Sequence, residues 1–318
     1  MSEWFEWSLG LTRWLQSAGG AWQLVMMGLS RLIGLDFLLP VIYWCGHKGL
    51  GRYLLYLQGV SLGWGELLKW WGQGPRPYWL APELQLSSSD SYGVPSGHTI
   101  AATVSYGGLA SWWGRWWGWL LAVVVIALIG LSRIYLGAHF VHDVVGGLLV
   151  GGLIVAGGRW WLGLPLAVRA RWRWRGAWGL PSLLLVAYVV VRYGRELDLG
   201  VAWWGYVAEA ELEGMEGVVH GLGAMIGLGV GYYGEERWVG FTVKGRWQQK
   251  VGRVLVGLAG VGLLGAGLLA LPREPVGVVW PSRLVLVMLI SLWVAWGAPW
   301  VFGRLGLLLP AGEDEGGE

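Results

Sequence analysis

Nine runs of apolar residues, separated by short charged segments, limit most strongly what this chain can fold into. They fall at roughly 22–45, 51–70, 98–113, 116–135, 140–157, 181–194, 215–233, 253–271 and 283–302. Most approach the ~20 residues that an α-helix needs to cross the ~30 Å hydrocarbon core of a bilayer. The pattern therefore predicts an all-α fold, a polytopic transmembrane helical bundle of eight or nine spans.

The composition agrees with a chain that has lipid as its solvent. Of 318 residues, 55% are hydrophobic and 14% are charged, and the mean hydropathy is +0.51, whereas a typical soluble domain has about 25% charged residues. These values exclude a disordered or fibrous protein. Cys45 is the single cysteine, so an intramolecular disulfide and a cysteine-based metal site are also excluded.

The first twenty residues are too polar to cross a membrane, but their aromatic and aliphatic side chains recur at helical spacing. The recurring residues are Trp4, Phe5, Trp7, Leu11, Trp14 and Leu15. This spacing predicts an amphipathic helix that lies at the membrane interface. Acidic residues replace the basic start of a signal peptide, so we expect no cleaved leader.

Lys and Arg collect in alternate loops, and this asymmetry predicts the orientation of the spans. The loops after the first, third, fifth and seventh runs are basic, whereas segments 77–94 and 195–216 are not. Because short cytoplasmic loops retain Lys and Arg, we expect 77–94 and 195–216 to face outward. The basic residues are spread along one face and alternate with Trp within 171–175, which is typical of a lipid anchor and speaks against nucleic-acid binding.

These patterns divide the chain into four parts. We expect an interfacial segment at 1–20, a core with the chemically active residues at 21–160, additional C-terminal transmembrane helices at 161–310, and a solvated acidic tail at 311–318. Nothing in the sequence sets the oligomeric state.

Ionisable residues near membrane depth are costly and usually functional, and here they form three clusters. These are Lys69-x6-Arg76-Pro77, then Pro95-Ser96-Gly97-His98, and finally Ser132-Arg133-x5-His139-x3-Asp143. By the orientation above, all three lie on the outward side. Each alone has an ordinary explanation as an interfacial anchor or a helix cap. Their convergence on one face makes coincidence the weaker explanation.

The residue types in these clusters suit a phosphate group. Arg76 and Arg133 offer planar forks to phosphate oxygens, and Lys69 adds a point charge. A helix start at residues 95–98 favours an anion. A spacing of four places His139 and Asp143 on one face of a helix, where the carboxylate orients the imidazole as a nucleophile.

Two neighbours of these residues receive other roles. His142 adjoins Asp143, but a side chain at the next position points about 100° away around a helix, so His139 keeps the nucleophilic role and His98 acts as acid. Glu66 lies one turn before Lys69, where it either pairs with that ammonium and orients it or only lowers the cost of its burial. We favour the structural role.

The three motifs, in this order and with all eleven fixed positions, resemble the signatures of the type-2 phosphatidic acid phosphatase superfamily, in its integral membrane branch. The resemblance implies that His139 forms a phosphohistidine, that Asp143 orients it, and that His98 protonates the leaving group. It implies a phosphate cradle made of Lys69, Arg76, Arg133, Ser96 and Gly97. No cofactor and no metal are expected, because fixed cations neutralise the transferring phosphoryl group.

The resemblance further implies an integral membrane phosphatase that acts on a lipid phosphate or pyrophosphate. The candidate substrates are undecaprenyl pyrophosphate, phosphatidylglycerophosphate and phosphatidate, with the isoprenyl pyrophosphate preferred for a site on the extracytoplasmic face of the cell (inner) membrane. Besides this substrate, the expected partners are membrane lipids.

Two alternatives come from other classes. A vanadium-dependent haloperoxidase uses a similar cradle, but the membrane composition argues against it. A non-enzymatic lipid-phosphate transporter or binding protein would not need a complete set of nucleophile, acid and orienting carboxylate.

Overall fold

The computed structural model describes residues 3–197, 200–272 and 276–309, and over these ranges the chain is helical with no β-strand. The α-helices are α1 (Glu3–Gln16), α2 (Gly20–Ser30), α3 (Leu39–Val41), α4 (Lys48–Gly72), α5 (Pro77–Leu80), α6 (Gly97–Ala102), α7 (Gly108–Trp113), α8 (Trp116–Tyr135), α9 (Val141–Gly163), α10 (Leu166–Gly194), α11 (Trp204–Trp238), α12 (Trp247–Ala270), α13 (Val276–Leu292) and α14 (Ala298–Arg304). Arg31–Leu38 and Pro82–Leu84 are 3₁₀-helices, and Ile42–Gly46, Thr103–Gly107 and Trp293–Gly297 are π-helical. The all-α prediction is confirmed, and the acidic tail at 311–318 lies outside the described residues.

Five helical segments among the described residues are long and apolar enough to cross a membrane. They are Trp116–Tyr135, Val141–Gly163, Ala177–Gly194, Trp247–Ala270 and Val279–Arg304. The predicted count of eight or nine spans is therefore not confirmed. The run at 22–45 is divided among short helices of three types. In the runs at 51–70, 98–113 and 215–233, Gly, Trp and polar residues lower the mean hydropathy.

Two segments predicted as charged loops are largely helical. Residues 169–175, rich in Arg, lie inside α10, and the acidic residues at 209–216 lie inside α11. Arg and Glu are good helix formers. The loop prediction was wrong because charge was taken as a mark of irregular structure.

The described residues pack as two compact units. The first comprises Met1–Asp36, Val60–Gly163 and Val186–Val218. Within it, α9 packs closely on the helical stretch that begins at Gly97: a Cβ at Gly147 would lie 2.8 Å from the carbonyl oxygen of Ser96, and one at Gly151 would lie 2.6 Å from Thr103 Cβ. Glycines four residues apart allow this approach, which supplies the close packing that membrane helices need.

Helix α1 packs inside the first unit. Leu9 is buried in a cluster with Ala81, Leu84 and Phe140, and the Gln16 amide donates to the carbonyl oxygens of Leu84 and Tyr135 at 3.0 and 2.8 Å. The tryptophans Trp4, Trp7 and Trp14 are exposed. The helix exists as predicted, but its interfacial position is not confirmed.

The second unit comprises Phe37–Gly59, Leu164–Leu185 and Val219–Glu318. Its described core is aromatic: Tyr43, Trp44 and Phe302 are fully buried, and the Trp44 indole donates to the carbonyl of Val294 at 2.9 Å. Arg253 is also fully buried, and its acceptors among the described residues are backbone carbonyls, including those of Trp44, Lys244 and Leu307. This arginine joins three chain segments and is well explained as structural.

The neighbouring glycines of α9 give a matched test of this packing. We expect Gly151→Ala to destabilise the protein by about 1–3 kcal/mol, because its Cβ has no room against Thr103 and overpacking carries costs of that order. Gly152 meets nothing within 4 Å, so Gly152→Ala should stabilise by up to ~1 kcal/mol through helix propensity. Thermal unfolding in detergent measures both. Equal melting temperatures for the two variants would contradict the contact.

Candidate active site

The chain reverses direction after α8 through a glycine-terminated helix end. Gly137 adopts a left-handed conformation with φ +69°, its N–H donates to the carbonyl of Ile134 at 3.0 Å, and the Ala138 N–H donates to that of Arg133 at 3.1 Å. These two bonds form a Schellman motif. A Cβ at Gly137 would lie 2.1 Å from the carbonyl oxygen of Leu84, so glycine is required, and the turn brings His139 back to Arg133.

His139 and Asp143 are paired, but not along one helix face as predicted. Helix α9 begins at Val141, so His139 precedes it and Asp143 lies in its first turn. Asp143 Oδ2 accepts a hydrogen bond from the Phe140 N–H at 2.9 Å and lies 3.2 Å from His139 Nδ1. The carboxylate thus binds the helix start and the imidazole together, because both donors precede α9.

Arg76 is 1% exposed and organises the centre of the cluster. Its Nη1 lies 3.3 Å from His139 Nε2 and donates to the carbonyl of Ala138 at 2.9 Å. A guanidinium donor at Nε2 and a carboxylate at Nδ1 favour a neutral imidazole with its proton on Nδ1. Burial first, and the nearby charge of Arg76 second, hold the pKa of His139 well below its ordinary value of 6.5.

Lys69 lies near the C-terminal end of α4 and is 5% exposed. Its ammonium pairs with Glu66, as expected, and donates to Ser91 Oγ at 3.3 Å. Arg76 Nη2 donates to the same hydroxyl at 3.0 Å. A Cβ at Gly97 would lie 2.9 Å from Lys69 Nζ, so the glycine of the second motif leaves space for this ammonium.

Ser96 caps α6, and this explains its place in the motif. Its hydroxyl accepts from the Thr99 N–H at 3.4 Å, and its own N–H donates to the carbonyl of Asp143 at 2.9 Å. The hydroxyl that was assigned to the phosphate cradle is therefore engaged at the helix start. His98 is half-buried in the first turn of α6 and interacts electrostatically with Arg133, Lys69 and Arg76.

Arg133 completes the group from the last turn of α8. It is 3% exposed, and its Nη1 donates to Ser30 Oγ at 2.8 Å, whereas its buried Nε has no hydrogen-bond partner among the described residues. The carbonyl of Arg133 also accepts the His139 N–H at 3.3 Å. Residues from all three motifs thus lie together in the first unit.

The charges of this cluster do not balance. Lys69, Arg76 and Arg133 carry three positive charges, and the carboxyl groups of Glu66 and Asp143 supply at most two negative ones. A buried excess of one positive charge is unfavourable unless an anion accompanies it. Because of this excess, the cluster is suited to an anion. Within the described ranges, no group of three or more His, Cys, Asp or Glu residues is arranged to hold a metal.

Sequence reasoning missed the segment 89–92. Ser91 is buried and bonded to both Lys69 and Arg76, Ser89 Oγ accepts from Arg76 Nη2 at 3.1 Å, and the Tyr78 hydroxyl donates to the carbonyl of Ser89. The signal was the group of four serines at 87–89 and 91, shortly before the second motif. That segment was treated only as an outward loop with little charge.

The start of α11 also supports this segment. Glu211 accepts from the Tyr92 hydroxyl at 2.8 Å and from the Trp70 indole at 2.7 Å, and it pairs with Arg195, whose guanidinium lies 4.2 Å from the centre of a Trp70 ring. Glu211 and Arg195, which lie outside the three motifs, therefore fix Trp70 beside Lys69 and Tyr92 in the segment that binds Arg76. Nothing in the sequence pointed to Glu211 in particular.

The fold and the site define a class of protein: an integral membrane protein of helices that buries a cationic, histidine-containing cluster suited to an anion. Residues 50–166 match the family model of the PAP2 superfamily, and residues 219–313 match that of the PAP2 superfamily phosphatase transmembrane extension.

Among curated proteins, the chain is 33% identical to phosphatidylglycerophosphatase B of Bacillus subtilis (strain 168), over 41% of this chain and 70% of that protein. It is 30% identical to lipid phosphate phosphatase delta of Arabidopsis thaliana and 34% identical to sphingosine-1-phosphate phosphatase 2 of Mus musculus, over 40% and 37% of this chain. The aligned part covers 35% of the length of each of the latter two. No solved structure matches the chain. The chain belongs to the PAP2 superfamily.

The contact between Gly97 and Lys69 predicts a binding defect without a folding defect. In Gly97→Ala the new methyl group must displace the end of the Lys69 side chain, which is flexible, so we expect the melting temperature to change little. Binding of inorganic phosphate, measured by calorimetry, should weaken about tenfold, or about 1.4 kcal/mol. Gly152→Ala is the control. Unchanged binding of phosphate in Gly97→Ala would show that the ammonium does not reach the anion.

Proposed function

We propose that the protein is an integral membrane phosphatase that hydrolyses a lipid phosphate or pyrophosphate through a phosphohistidine on His139. One observation carries the proposal: His139 Nε2 is held beside Arg76 in a buried cluster with one positive charge in excess. Membership of a family whose relatives are lipid phosphatases supports the reaction class.

The chemistry proceeds in two transfers. The lone pair on His139 Nε2 forms a bond to phosphorus while the bond from phosphorus to the leaving oxygen breaks. Burial first, and the charge of Arg133 second, lower the pKa of His98 to about 3 in the unliganded site, so His98 takes up its proton with the negatively charged substrate bound and gives it to the leaving oxygen. Water then attacks the phosphohistidine, His98 takes its proton, and Nε2 leaves. Lys69, Arg76 and Arg133 stabilise the charge on the phosphoryl oxygens in both steps.

Asp143 and the backbone complete the assignment. Asp143 accepts the Nδ1 proton of His139 and so keeps Nε2 available through both transfers. Gly97 contributes free space and an N–H at a helix start, and Ser96 contributes the cap that fixes this start.

For the substrate, we propose a phosphate headgroup of a membrane lipid: phosphatidylglycerophosphate, phosphatidate or undecaprenyl pyrophosphate. The name of the Bacillus relative favours the first, and the name of the Arabidopsis relative favours lipid phosphates in general. Residues 21–160 would form the phosphatase core and residues 161–310 a membrane extension, a division supported by the two family matches.

We also propose a location in the cell (inner) membrane with eight or nine spans and the site on the extracytoplasmic face. The support is the asymmetry of Lys and Arg between alternate connections. Hydrolysis of a water-soluble short-chain phosphatidate by right-side-out vesicles, compared with inverted vesicles, tests the sidedness. Faster hydrolysis by the inverted vesicles would overturn it.

The reaction is tested with detergent-purified protein in EDTA. We expect phosphate release from at least one of undecaprenyl pyrophosphate, phosphatidylglycerophosphate and phosphatidate, in preference to a soluble phosphate ester. His139→Ala should lose activity by about a thousandfold or more, whereas His47→Asn, in the second unit, should keep it. No release by folded wild-type protein, or release that persists in His139→Ala, would overturn the proposal.

The low pKa of His139 predicts the acid side of the pH profile. Because the folded protein disfavours the protonated imidazole, the nucleophile stays neutral at pH values where an exposed histidine takes up a proton. We expect kcat/KM to be maintained through pH 6.5 and to fall only at lower pH. The profile should be measured with two substrates whose phosphate groups differ in pKa. A limb that reflects ionisation of the substrate will shift between the two profiles, whereas a limb that reflects an enzyme group will not. A fall in kcat/KM towards low pH that begins at or above pH 6.5 with both substrates would contradict the assignment.

A further inference from the structure

His142, set aside as a nucleophile, lies between helix α1 and the carboxylate that orients His139. Its Nδ1 accepts a hydrogen bond from the indole N–H of Trp4 at 2.9 Å, and its Nε2 lies 3.1 Å from Asp143 Oδ1. Because Nδ1 is an acceptor, the neutral ring carries its proton on Nε2. That proton is on the side of Asp143.

The two oxygens of Asp143 are used differently. Oδ2 accepts from the Phe140 N–H and lies next to His139 Nδ1, whereas Oδ1 is buried and has no hydrogen-bond partner among the described residues. Buried carboxylate oxygens are normally satisfied. The Nε2–H of His142 is at the right distance to provide the missing interaction.

Aromatic contacts hold the His142 ring in place. Phe140 stacks on it with ring centres 5.4 Å apart and planes 11° apart, and Phe5 of α1 lies 5.0 Å from Phe140 and 6.0 Å from His142. The side chain of His142 is one-third exposed, so burial alone does not determine its orientation. The ring is fixed from one side by Phe140 and at its edge by Trp4.

We propose that His142 is a positioning residue for the phosphohistidine chemistry, and that Trp4 of the N-terminal helix sets its tautomer. The indole fixes His142, His142 holds Oδ1 of Asp143, and Asp143 orients His139 through Oδ2. The proposal rests on the proposed function, since it assigns a role in the same reaction. It also gives α1 a function in the site beyond its packing on Leu84 and Phe140.

Substitutions that keep shape and remove single donors test this chain of contacts. His142→Phe retains the stacking on Phe140 and loses the Nε2 donor, whereas His142→Gln offers an amide N–H near the same place. Trp4→Phe removes the indole donor. Trp7 stacks on Trp4 with ring centres 5.1 Å apart and is exposed, so Trp7→Phe is the matched control.

With short-chain phosphatidate as substrate, we expect kcat to fall about tenfold in His142→Phe and about threefold in Trp4→Phe. KM, inhibition by inorganic phosphate and melting temperature should stay unchanged, because the cradle is intact. His142→Gln should recover most of kcat, and Trp7→Phe should match the wild type. Trp4→Phe added to His142→Phe should cost nothing more, because Trp4 acts through His142.

Three kinetic outcomes would overturn the proposal. A wild-type kcat in His142→Phe shows that the contact to Asp143 has no effect. Equal losses in the Phe and Gln variants, with lowered melting temperatures, show a packing role only. A Trp7→Phe variant as impaired as Trp4→Phe shows that α1 matters through its surface and not through the indole donor.

A measurement that needs no turnover separates this proposal from the proposed function. In protein labelled with ¹⁵N-histidine, the nitrogen shifts of His142 should report a neutral ring protonated at Nε2, and Trp4→Phe should shift the Nδ1 signal. An Nδ1-protonated ring overturns the positioning role even if the enzyme is active. Phosphate release that is absent from the wild type refutes the proposed function, while the tautomer still decides the contact itself.

Discussion

The burial of positive charge in the first unit is the constraint on which the rest of the site depends. Removing three cations from water is expensive, and two carboxylates offset only part of the cost. The chain compensates with neutral acceptors. Arg76 alone donates to the carbonyls of Ser91, Tyr92 and Ala138 and to the hydroxyls of Ser89 and Ser91. The three cations have only two carboxyl groups beside them in this cluster. The unbalanced positive charge makes the site suited to an anionic ligand.

Close helix contacts make this arrangement possible. In lipid there is little hydrophobic drive for helices to associate, so contact must come from shape. Gly147 and Gly151 let α9 approach the helical stretch after Gly97, and Gly97 in turn leaves room for Lys69. The glycines thus have two roles. Gly147 and Gly151 set the distance between two helices, and Gly97 leaves the space that the Lys69 ammonium occupies.

The sequence was sufficient where a signal is local. The apolar runs predicted helices, and the spacing between His139 and Asp143 predicted their contact, although through the wrong geometry, because His139 lies in the turn before α9. It was insufficient where partners are distant along the chain. The bonds from Trp4 to His142 and from Trp70 to Glu211 join residues 138 and 141 positions apart, and no periodicity in one sequence encodes such pairs. Charge also misled, since Arg169 and Glu211 lie in helices.

The turn between α8 and α9 explains why five residues separate Arg133 from His139. The carbonyl of Arg133 accepts hydrogen bonds from the N–H groups of both Ala138 and His139, so these bonds close a loop at the end of the helix. The five residues between Arg133 and His139 are the number that this loop requires. The spacing in the third motif is therefore set by the chain reversal. The hydrogen bond from the His139 N–H to the Arg133 carbonyl fixes the backbone of the two residues against each other. Under the proposed function, this bond keeps a phosphoryl group on the Arg133 guanidinium in register with the His139 imidazole.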